Sequence, residues 1–250
     1  MTWRALTNRL LSSLFEPPCA ACKSVLSHPL DGAVCESCWA ATSARASIFV
    51  KAPADKTAAR LTSGAPRERL GSNSAVDWAA AIGEYEGRLR DIIHALKYEG
   101  RRSIAPPLGA LMRSAGADLL RGADVVVPVP LHPRRQRSRG FNQADDLARA
   151  LGVPVRPLLR RIRYTTSQIE LPKDERQRNV QDAFALNQAR GSLRLRSGQG
   201  GLWAPGSIVV LVDDVATTGA TLEACAAVLQ AAGAKEVRAL TAARVARAPH

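Results

Sequence analysis

The sequence predicts an α/β fold, in which helices flank a mostly parallel sheet, with a small four-cysteine segment at the N-terminus. The runs "DVVVPVPL" and "SIVVLV" have the continuous apolar composition of strands buried on both faces. A helical pattern follows each run, and this alternation is typical of βαβ units. A chain of 250 residues suffices for one large domain, or for a medium domain with a small appendage.

The first segment, "MTWRALTNRLLSSLFE", predicts a short amphipathic helix. Leu6, Leu10 and Leu14 recur at helical spacing, and Leu11 and Phe15 extend the same apolar face. Polar residues interrupt the stretch and no cleavage site follows, which disfavours a signal peptide. A packing helix is favoured over one that lies on a membrane surface. No run reaches the roughly 20 apolar residues of a membrane span, so we expect a soluble, cytoplasmic protein.

Four of the five cysteines form two closely spaced pairs, Cys19 with Cys22 and Cys35 with Cys38. Two such knuckles supply the four thiolates of a closed tetrahedral site, which predicts one structural Zn²⁺. Disulfides are the competing interpretation, and the absence of an export signal disfavours them because the cytosol is reducing. The fifth cysteine, Cys225, lies in an alanine-rich helical pattern and is expected to be a small buried side chain.

The remaining elements are predicted in order along the chain. A linker at 44–76, poor in large apolar residues, separates an N-terminal unit at 1–43 from a main domain at 77–250. Strands are predicted to end near Tyr85 and to cover 124–131, 153–155, 207–212 and 236–242. Helices are predicted at 106–120, 142–151 and 221–232, and around the apolar face of Leu89, Ile92, Ile93 and Leu96. The glycine- and arginine-rich segment at 190–206 indicates a loop or hairpin insertion without an assigned role.

The stretch "VVLVDDVATTGATLEAC" joins the strand at 207–212 to the next helix. Asp213 and Asp214 come at the carboxyl end of that strand, where open α/β sheets bind ligands. The helix N-terminus that follows favours an anion, Gly219 permits a tight turn, and hydroxyl groups add donors from Thr217, Thr218 and Thr221. We interpret the turn as a phosphate cradle. Ordinary capping threonines are the alternative.

The two carboxylates would repel a phosphate, so they must face a different group. Vicinal hydroxyls, which donate to carboxylates, and Mg²⁺ are the two candidates. A sugar phosphate satisfies both halves of the motif, because its phosphate suits the turn and its diol suits Asp213 and Asp214. The sequence therefore predicts a sugar-phosphate site at this edge of the sheet.

Basic residues follow the strand at 124–131 and reach the same edge. Arginine suits phosphate oxygens, and a diphosphate needs several such donors; the candidates are Lys97, His132, Arg134 and Arg139, with Arg135 and Arg137 beside them. A solvated basic loop is the alternative, and for Lys97 it is a surface position at a helix end. Nine arginines and two aspartates occupy 132–163, and the net charge is +13. This excess predicts salt-sensitive, sequence-independent binding of a nucleic acid, with little base stacking because aromatic residues are scarce.

The stretch "VLVDDVATTGAT" resembles the phosphoribosyl pyrophosphate (PRPP) signature of type I phosphoribosyltransferases. The resemblance implies a type I phosphoribosyltransferase-like fold and a reaction through an oxocarbenium-like ribosyl cation, with Mg²⁺ on the pyrophosphate. It implies that Asp213 and Asp214 contact the ribose 2- and 3-hydroxyls. The same resemblance assigns the 5-phosphate to the turn formed by Ala216, Thr217, Thr218, Gly219, Ala220 and Thr221.

Three further stretches make the chain similar to the ComF family over nearly its whole length: "YEGRLRDIIHALKYEG", "VPVPLHPRRQRSRGFNQADDLA" and "TTSQIELPKDERQRNVQDAF". The usual order in that family is a zinc ribbon followed by a phosphoribosyltransferase-like domain. Many members carry a second set of zinc-ribbon cysteines that this chain lacks, so we expect one zinc ion. The resemblance implies a role in natural transformation on single-stranded DNA, alongside a helicase or a recombination mediator.

The polar segment at 165–179 predicts a flap that closes over bound PRPP, with Gln168, Arg176 and Asn179 at family positions. An ordinary surface loop is the alternative. Two classes of function remain open. The protein is either a phosphoribosyltransferase with an unknown acceptor, or a PRPP-sensing or nucleic-acid-binding scaffold without turnover. A plain zinc-ribbon DNA-binding protein would leave the PRPP motif unexplained.

Overall fold

The computed structural model describes residues 3–15, 17–44, 49–52, 67–69, 74–163, 182–187 and 205–246. Its helices are α1 (Trp3–Phe15), α2 (Glu36–Ala44), α3 (Gly87–Tyr98), α4 (Ala105–Ala115), α5 (Ala117–Leu120), α6 (Pro133–Arg139), α7 (Gln143–Ala148) and α8 (Ala220–Ala231). Its strands are β1 (Phe49–Ala52), β2 (Arg67–Arg69), β3 (Trp78–Ala81), β4 (Val125–Pro128), β5 (Leu159–Arg161), β6 (Phe184–Leu186), β7 (Ile208–Ala216) and β8 (Glu236–Arg244).

Six of these strands form one sheet in the order β2-β1-β3-β8-β7-β4. The pairs β3–β8, β8–β7 and β7–β4 are parallel, and β1 runs antiparallel to β3. The long central pair, β7 and β8, aligns Ile208 with Glu236 and continues to Ala216 with Arg244. Strands β5 and β6 form a separate antiparallel pair. The prediction of a mostly parallel sheet flanked by helices is confirmed.

Alternating side chains of the parallel strands fill two hydrophobic clusters, one on each face of the sheet. Val210 and Val212 of β7 join the cluster with α3, α4 and α7, whereas Val209 and Leu211 join the cluster with α8. The predicted apolar face of α3 is buried in full. Each large aliphatic side chain buried in this way contributes about 1.5–3 kcal/mol, so burial on both faces explains the continuous apolar runs.

The structure corrects several predicted boundaries. Strand β7 continues beyond Val212 through both aspartates to Ala216, so the aspartates lie within the strand and not after it. The helix predicted at 106–120 is two helices, α4 and α5, that meet at Gly116. A Cβ atom on Gly116 would lie 2.7 Å from a Leu240 methyl carbon, so the chain approaches β8 too closely there for any side chain.

Two further elements were missed by sequence reasoning. The segment interpreted as a linker contributes β1 and β2, which extend the sheet beside β3. Strand β1 forms by pairing with β3 and β2 by pairing with β1, and their composition gave no apolar pattern to predict them. The basic stretch interpreted as a loop contains α6, which begins with Pro133 in its first turn and ends at Gly140 in a left-handed conformation. The whole 165–179 flap and residues 190–204 of the insertion lie outside the described residues.

The N-terminal unit packs directly against the main domain. The Asn8 side chain accepts a hydrogen bond from the Leu30 N–H at 2.9 Å, which attaches α1 to the turn that follows the first cysteine pair. The cysteine segment shares one hydrophobic cluster with α3 and α4. Two side-chain hydrogen bonds add to this contact. Arg88 donates to the Ala21 carbonyl at 3.2 Å, and Arg101 donates to the Pro18 carbonyl at 3.1 Å. Among the described residues, no helix has both the length and the apolar content to cross a membrane.

Candidate functional site

The four paired cysteines come together as the sequence predicts. Their sulfur atoms all lie within 4.8 Å of one another, and the Sγ atoms of Cys22 and Cys35 are 3.6 Å apart. None of the four forms a disulfide, whose S–S distance would be about 2.05 Å. A tetrahedral zinc ion with Zn–S bonds of about 2.3 Å places its sulfur ligands about 3.8 Å apart. The group could therefore hold a metal ion, and its four sulfur donors and spacing fit zinc.

Hydrogen bonds and burial have opposite effects on the pKa values of the clustered cysteines. The Ser24 hydroxyl lies 2.8 Å from the Cys22 sulfur and lowers the pKa of Cys22 to about 6. The Cys35 N–H donates to the Cys19 sulfur at 3.3 Å, and Cys19 itself is buried. Burial raises the pKa of Cys38 above its ordinary value, so a metal ion would have to displace that proton.

A cleft of about 530 Å³ opens at the carboxyl edge of the parallel strands. It is lined by the ends of α3 and β4, by α6, β5 and β7, and by the turn into α8. Eight of the residues that the sequence identified line this one cleft: Lys97, Arg139, Asp213, Asp214, Ala216, Thr217, Gly219 and Thr221. Residues far apart in the chain meet here because parallel strands present their carboxyl ends at one edge.

The turn from β7 into α8, which the sequence predicts as a phosphate cradle, opens into the cleft. Gly219 caps the helix with φ of 83°, a left-handed conformation that glycine adopts without strain. A Cβ atom there would meet nothing within 4 Å, so the backbone angle and not the space calls for glycine. The Thr218 hydroxyl accepts a hydrogen bond from the Ala220 N–H at 3.3 Å. Thr218 therefore organises the turn itself, whereas Thr217 and Thr221 face the cleft.

The ion pair of Lys97 and Asp214 lies on one wall of the cleft. Lys97 Nζ is 2.8 Å from Asp214 Oδ1, and the two side chains are only 14% and 12% exposed. Burial alone would lower the pKa of Lys97, but the attraction of Asp214 outweighs it and the pKa is raised. The same ammonium lies 5.9 Å from the centre of the Tyr85 ring. The surface position considered for Lys97 from the sequence does not fit this buried geometry.

The neighbouring carboxylate, Asp213, has an unusual electrostatic environment. Its Oδ1 accepts a hydrogen bond from the Asp214 N–H at 2.8 Å. Removal from water and the adjacent charge of Asp214 nevertheless raise the pKa of Asp213 to about 7, although Lys97 opposes the change. Asp213 is therefore protonated more readily than an ordinary aspartate.

Three arginines line the cleft with Lys97. The Arg139 guanidinium lies 5.0 Å from the centre of the Tyr98 ring, and that of Arg161 lies 5.3 Å from the Phe184 ring. Arg135 completes the set. Burial and the like charge of Arg135 lower the pKa of Arg161. Four cations therefore share the cleft with two carboxylates, and this excess favours an anionic ligand.

Sequence reasoning did not single out Arg161 for this site. It lies on β5, where the sequence shows only an apolar stretch that becomes polar. The run "RRIR" could have indicated it, because it begins in a short strand that is half buried. An arginine that such a strand buries needs a charged partner or a ligand. Arg135 was recognised as part of the basic stretch but was not predicted to be more important than its neighbours.

His132 and Arg134 occupy a different position from the one expected. His132 caps α6, and its Nδ1 accepts a hydrogen bond from the Arg134 N–H at 3.2 Å. Loss of solvation and the charge of Arg161 lower the pKa of His132, which favours the neutral ring needed for this cap. Within the described part of the chain, neither residue lines the cleft, so a direct phosphate contact stays a prediction for both. The flap candidates Gln168, Arg176 and Asn179 lie outside the described residues.

Comparisons with known proteins agree with this geometry. Residues 121–249 match the family described as phosphoribosyl transferase domain. Competence protein F of Haemophilus influenzae is 31% identical over 172 residues, which cover 65% of this chain and 70% of that protein. DNA utilization protein YhgH of Salmonella typhimurium is 34% identical over 171 residues, with coverages of 63% and 68%. Competence protein ComFC of Bacillus subtilis is 25% identical over 224 residues, with coverages of 89% and 80%.

The raised pKa of Asp213 makes stability depend on pH in a defined direction. A carboxyl group whose pKa is higher in the folded than in the unfolded protein stabilises the fold at low pH, and this contribution is lost as the pH rises through about 7. We therefore expect Asp213→Asn to be more stable than the wild type near about pH 8, by a margin that narrows near about pH 5. Urea unfolding at the two pH values measures this margin.

The matched control is Asp118→Asn, which removes the partly exposed partner of Arg121 and does not touch a residue that lines the cleft. Its stability should follow that of the wild type at both pH values. A margin for Asp213→Asn that does not change with pH would show that Asp213 is an ordinary ionised carboxylate.

Proposed function

This chain belongs to the ComF family of phosphoribosyltransferase-like proteins, and from that premise we propose that it binds PRPP with Mg²⁺ in the cleft at the carboxyl edge of the sheet. One observation carries the proposal. Asp213, Asp214 and the turn at 216–221 lie in one cleft, and the cations Lys97, Arg135, Arg139 and Arg161 lie there too. A phosphorylated sugar that carries a diphosphate needs this combination of acceptors for its hydroxyls and donors for its phosphates.

In the proposed complex the 5-phosphate lies in the turn, where the N-terminus of the twelve-residue helix α8 attracts negative charge. The ribose hydroxyls donate to Asp213 and Asp214, and the diphosphate lies toward Arg135 and Arg139. The ionised form of Asp213 accepts such bonds more strongly than the protonated form, so we expect PRPP affinity to rise as the pH passes through about 7. Bound Mg²⁺ would neutralise part of the diphosphate charge.

Lys97 has two roles in this proposal. In the free protein it balances the charge of Asp214 at 2.8 Å. Hydroxyl groups that bind Asp214 weaken this pair, and the ammonium then turns toward the diphosphate that arrives with the same ligand. Binding therefore replaces one ion pair with another and leaves no buried charge without a partner, which would be costly.

Ribosyl transfer and ligand sensing both require this cleft. A transferase must also exclude water from an oxocarbenium-like ribosyl centre, and we propose the polar segment at 165–179 as the flap that does so. We propose a phosphoribosyltransferase with an acceptor still to be identified. The alternative is a PRPP-sensing or nucleic-acid-binding scaffold without turnover.

The names of the relatives support a role in natural competence and DNA uptake. Two of them are competence proteins and one is a DNA utilization protein. We propose that this chain handles single-stranded DNA in the same process, in contact with a helicase or a recombination mediator. The surplus of arginine over 132–163 supports binding to the phosphate backbone. The described cysteines form no disulfide, and free thiols persist most readily in a reducing compartment, so we propose that the protein acts in the cytoplasm.

We further propose one structural Zn²⁺ in the cysteine cluster. Four thiolates leave no open position for water, so the ion would organise the fold and take no part in a reaction. The cluster packs on α3, and the end of α3 carries Lys97 and Tyr98 into the cleft. Zinc would therefore help to fix the helix from which Lys97 reaches Asp214.

PRPP binding and turnover are tested together by calorimetry and by pyrophosphate release. We expect Asp214→Asn to weaken PRPP–Mg²⁺ binding about tenfold or more, because it removes a charged hydrogen-bond acceptor. The surface variant Asp118→Asn should bind like the wild type. Acceptor-dependent pyrophosphate release that is lost in Asp213→Ala identifies a transferase, whereas binding without release identifies a scaffold. A wild-type protein that does not bind PRPP would contradict the proposal.

Elemental analysis tests the zinc site. The wild type should contain one zinc ion per chain, and Cys38→Ser should lose it and melt at a lower temperature. Cys225→Ser is the control, because Cys225 is buried in α8 and is not one of the four clustered cysteines. Equal zinc contents in the wild type and Cys38→Ser would show that the cluster does not hold the metal.

A further inference from the structure

A second cleft, of about 580 Å³, lies beside the first. The two clefts share Pro130, Leu131 and Arg161 in their walls, so they adjoin along the segment after β4 and along β5. The second cleft extends away from the aspartates toward α6, α7 and the end of β6. Its volume lies in the range of about 300–1,000 Å³ that is common for small-molecule sites.

The charges of the second cleft favour an anion. Four arginines and two aspartates line it, which leaves an excess of two positive charges. Asp146 accepts two hydrogen bonds from Arg102, at 2.7 and 2.8 Å. Asp145 likewise accepts from Arg149 at 2.8 Å. A metal cation would have to break one of these ion pairs, whereas an anion is attracted by the positive excess, to which the other two arginines of the cleft contribute.

Those remaining arginines are consecutive residues of β5. Arg160 is exposed, and it lines the second cleft but not the first. Arg161 is partly buried and lines both. Planar guanidinium groups suit the oxygens of a phosphate, which they bind through paired N–H donors. An anion held by Arg160 would therefore lie next to a ligand of the first cleft, with Arg161 between them.

The other walls of the second cleft are apolar and rigid. The Phe141 ring lies 5.1 Å from the Arg102 guanidinium, and prolines 128, 130, 133 and 157 line the same cleft. Such surfaces suit the flat or weakly polar faces of a sugar and a base. Asn187 and Gln136 add amide groups that can donate or accept hydrogen bonds. The lining thus combines phosphate donors with apolar walls and a few neutral polar groups.

We propose that the second cleft binds a nucleotide, either free or as part of a strand, with its phosphate on Arg160 and Arg161. This site is distinct from the proposed PRPP site, and the proposal rests on the function proposed above only in treating the first cleft as the place of PRPP. A nucleotide in the second cleft would be the immediate neighbour of PRPP. The shared Arg161 would contact the phosphates of both ligands.

Three variants separate the two clefts. Arg160→Ala changes only the second cleft, Arg135→Ala changes only the first, and Arg156→Ala removes an exposed arginine that lines neither. The probes are PRPP with Mg²⁺, thymidine 5′-monophosphate, and a labelled oligothymidylate of about ten nucleotides. Calorimetry measures binding of the first two, and fluorescence anisotropy at low and high salt measures binding of the third.

We expect Arg160→Ala to weaken nucleotide binding about tenfold and to leave PRPP binding unchanged. Arg135→Ala should show the reverse pattern, and Arg156→Ala should match the wild type with both small ligands. Loss of monophosphate binding in Arg160→Ala identifies a free nucleotide as a ligand. Loss confined to the oligonucleotide identifies a strand, whose binding should also weaken with salt.

Equal effects of Arg160→Ala and Arg156→Ala on both nucleotide probes would overturn the proposal, because they would reduce binding to general surface charge. The failure of each idea is distinguishable. A wild type that binds nucleotide through Arg160 but does not bind PRPP would support the second cleft and refute the proposed PRPP site. A wild type that binds PRPP but neither nucleotide probe would refute the second cleft alone.

Discussion

The buried ion pair of Lys97 and Asp214 connects helix α3 to the central strand β7. Lys97 lies at the end of α3, the helix on which the cysteine cluster packs, and Asp214 lies in the central strand β7. A 2.8 Å contact between side chains that are mostly buried requires that helix and strand keep a fixed distance, because separating the charges would leave both without a partner. The shape of the cleft therefore depends on the packing of α3 and, through it, on the N-terminal unit.

Around this pair, hydrogen-bond acceptors and donors for anions occupy different parts of the cleft. Hydrogen-bond acceptors lie at the end of β7, and donors for anions lie in the turn before α8 and on α6 and β5. The carboxylates would repel a phosphate, so this separation lets one ligand place its hydroxyls and its phosphates in different environments. Arg161 lines this cleft and the second one, so the positive charge of one side chain acts on both clefts.

The central part of the fold and site could be predicted because local sequence determines it. The valine-rich runs of β4 and β7, the two cysteine pairs and the turn at Gly219 each carry their own signal within a few residues. The missed features depend on tertiary contacts. Strands β1 and β2 form by pairing at a sheet edge, and Gly116 lies where two helices meet close to Leu240. Arg161 lines the cleft together with residues that are distant from it in the chain.

A crystal structure of the protein with PRPP and Mg²⁺ tests the proposed site most directly. We expect the ribose hydroxyls to lie about 2.6–3.2 Å from the carboxylates of Asp213 and Asp214, with the 5-phosphate in the turn at 216–221. We also expect Lys97 to move from Asp214 toward the diphosphate. Density for PRPP outside this cleft, or a ribose that does not contact either aspartate, would refute the proposed site.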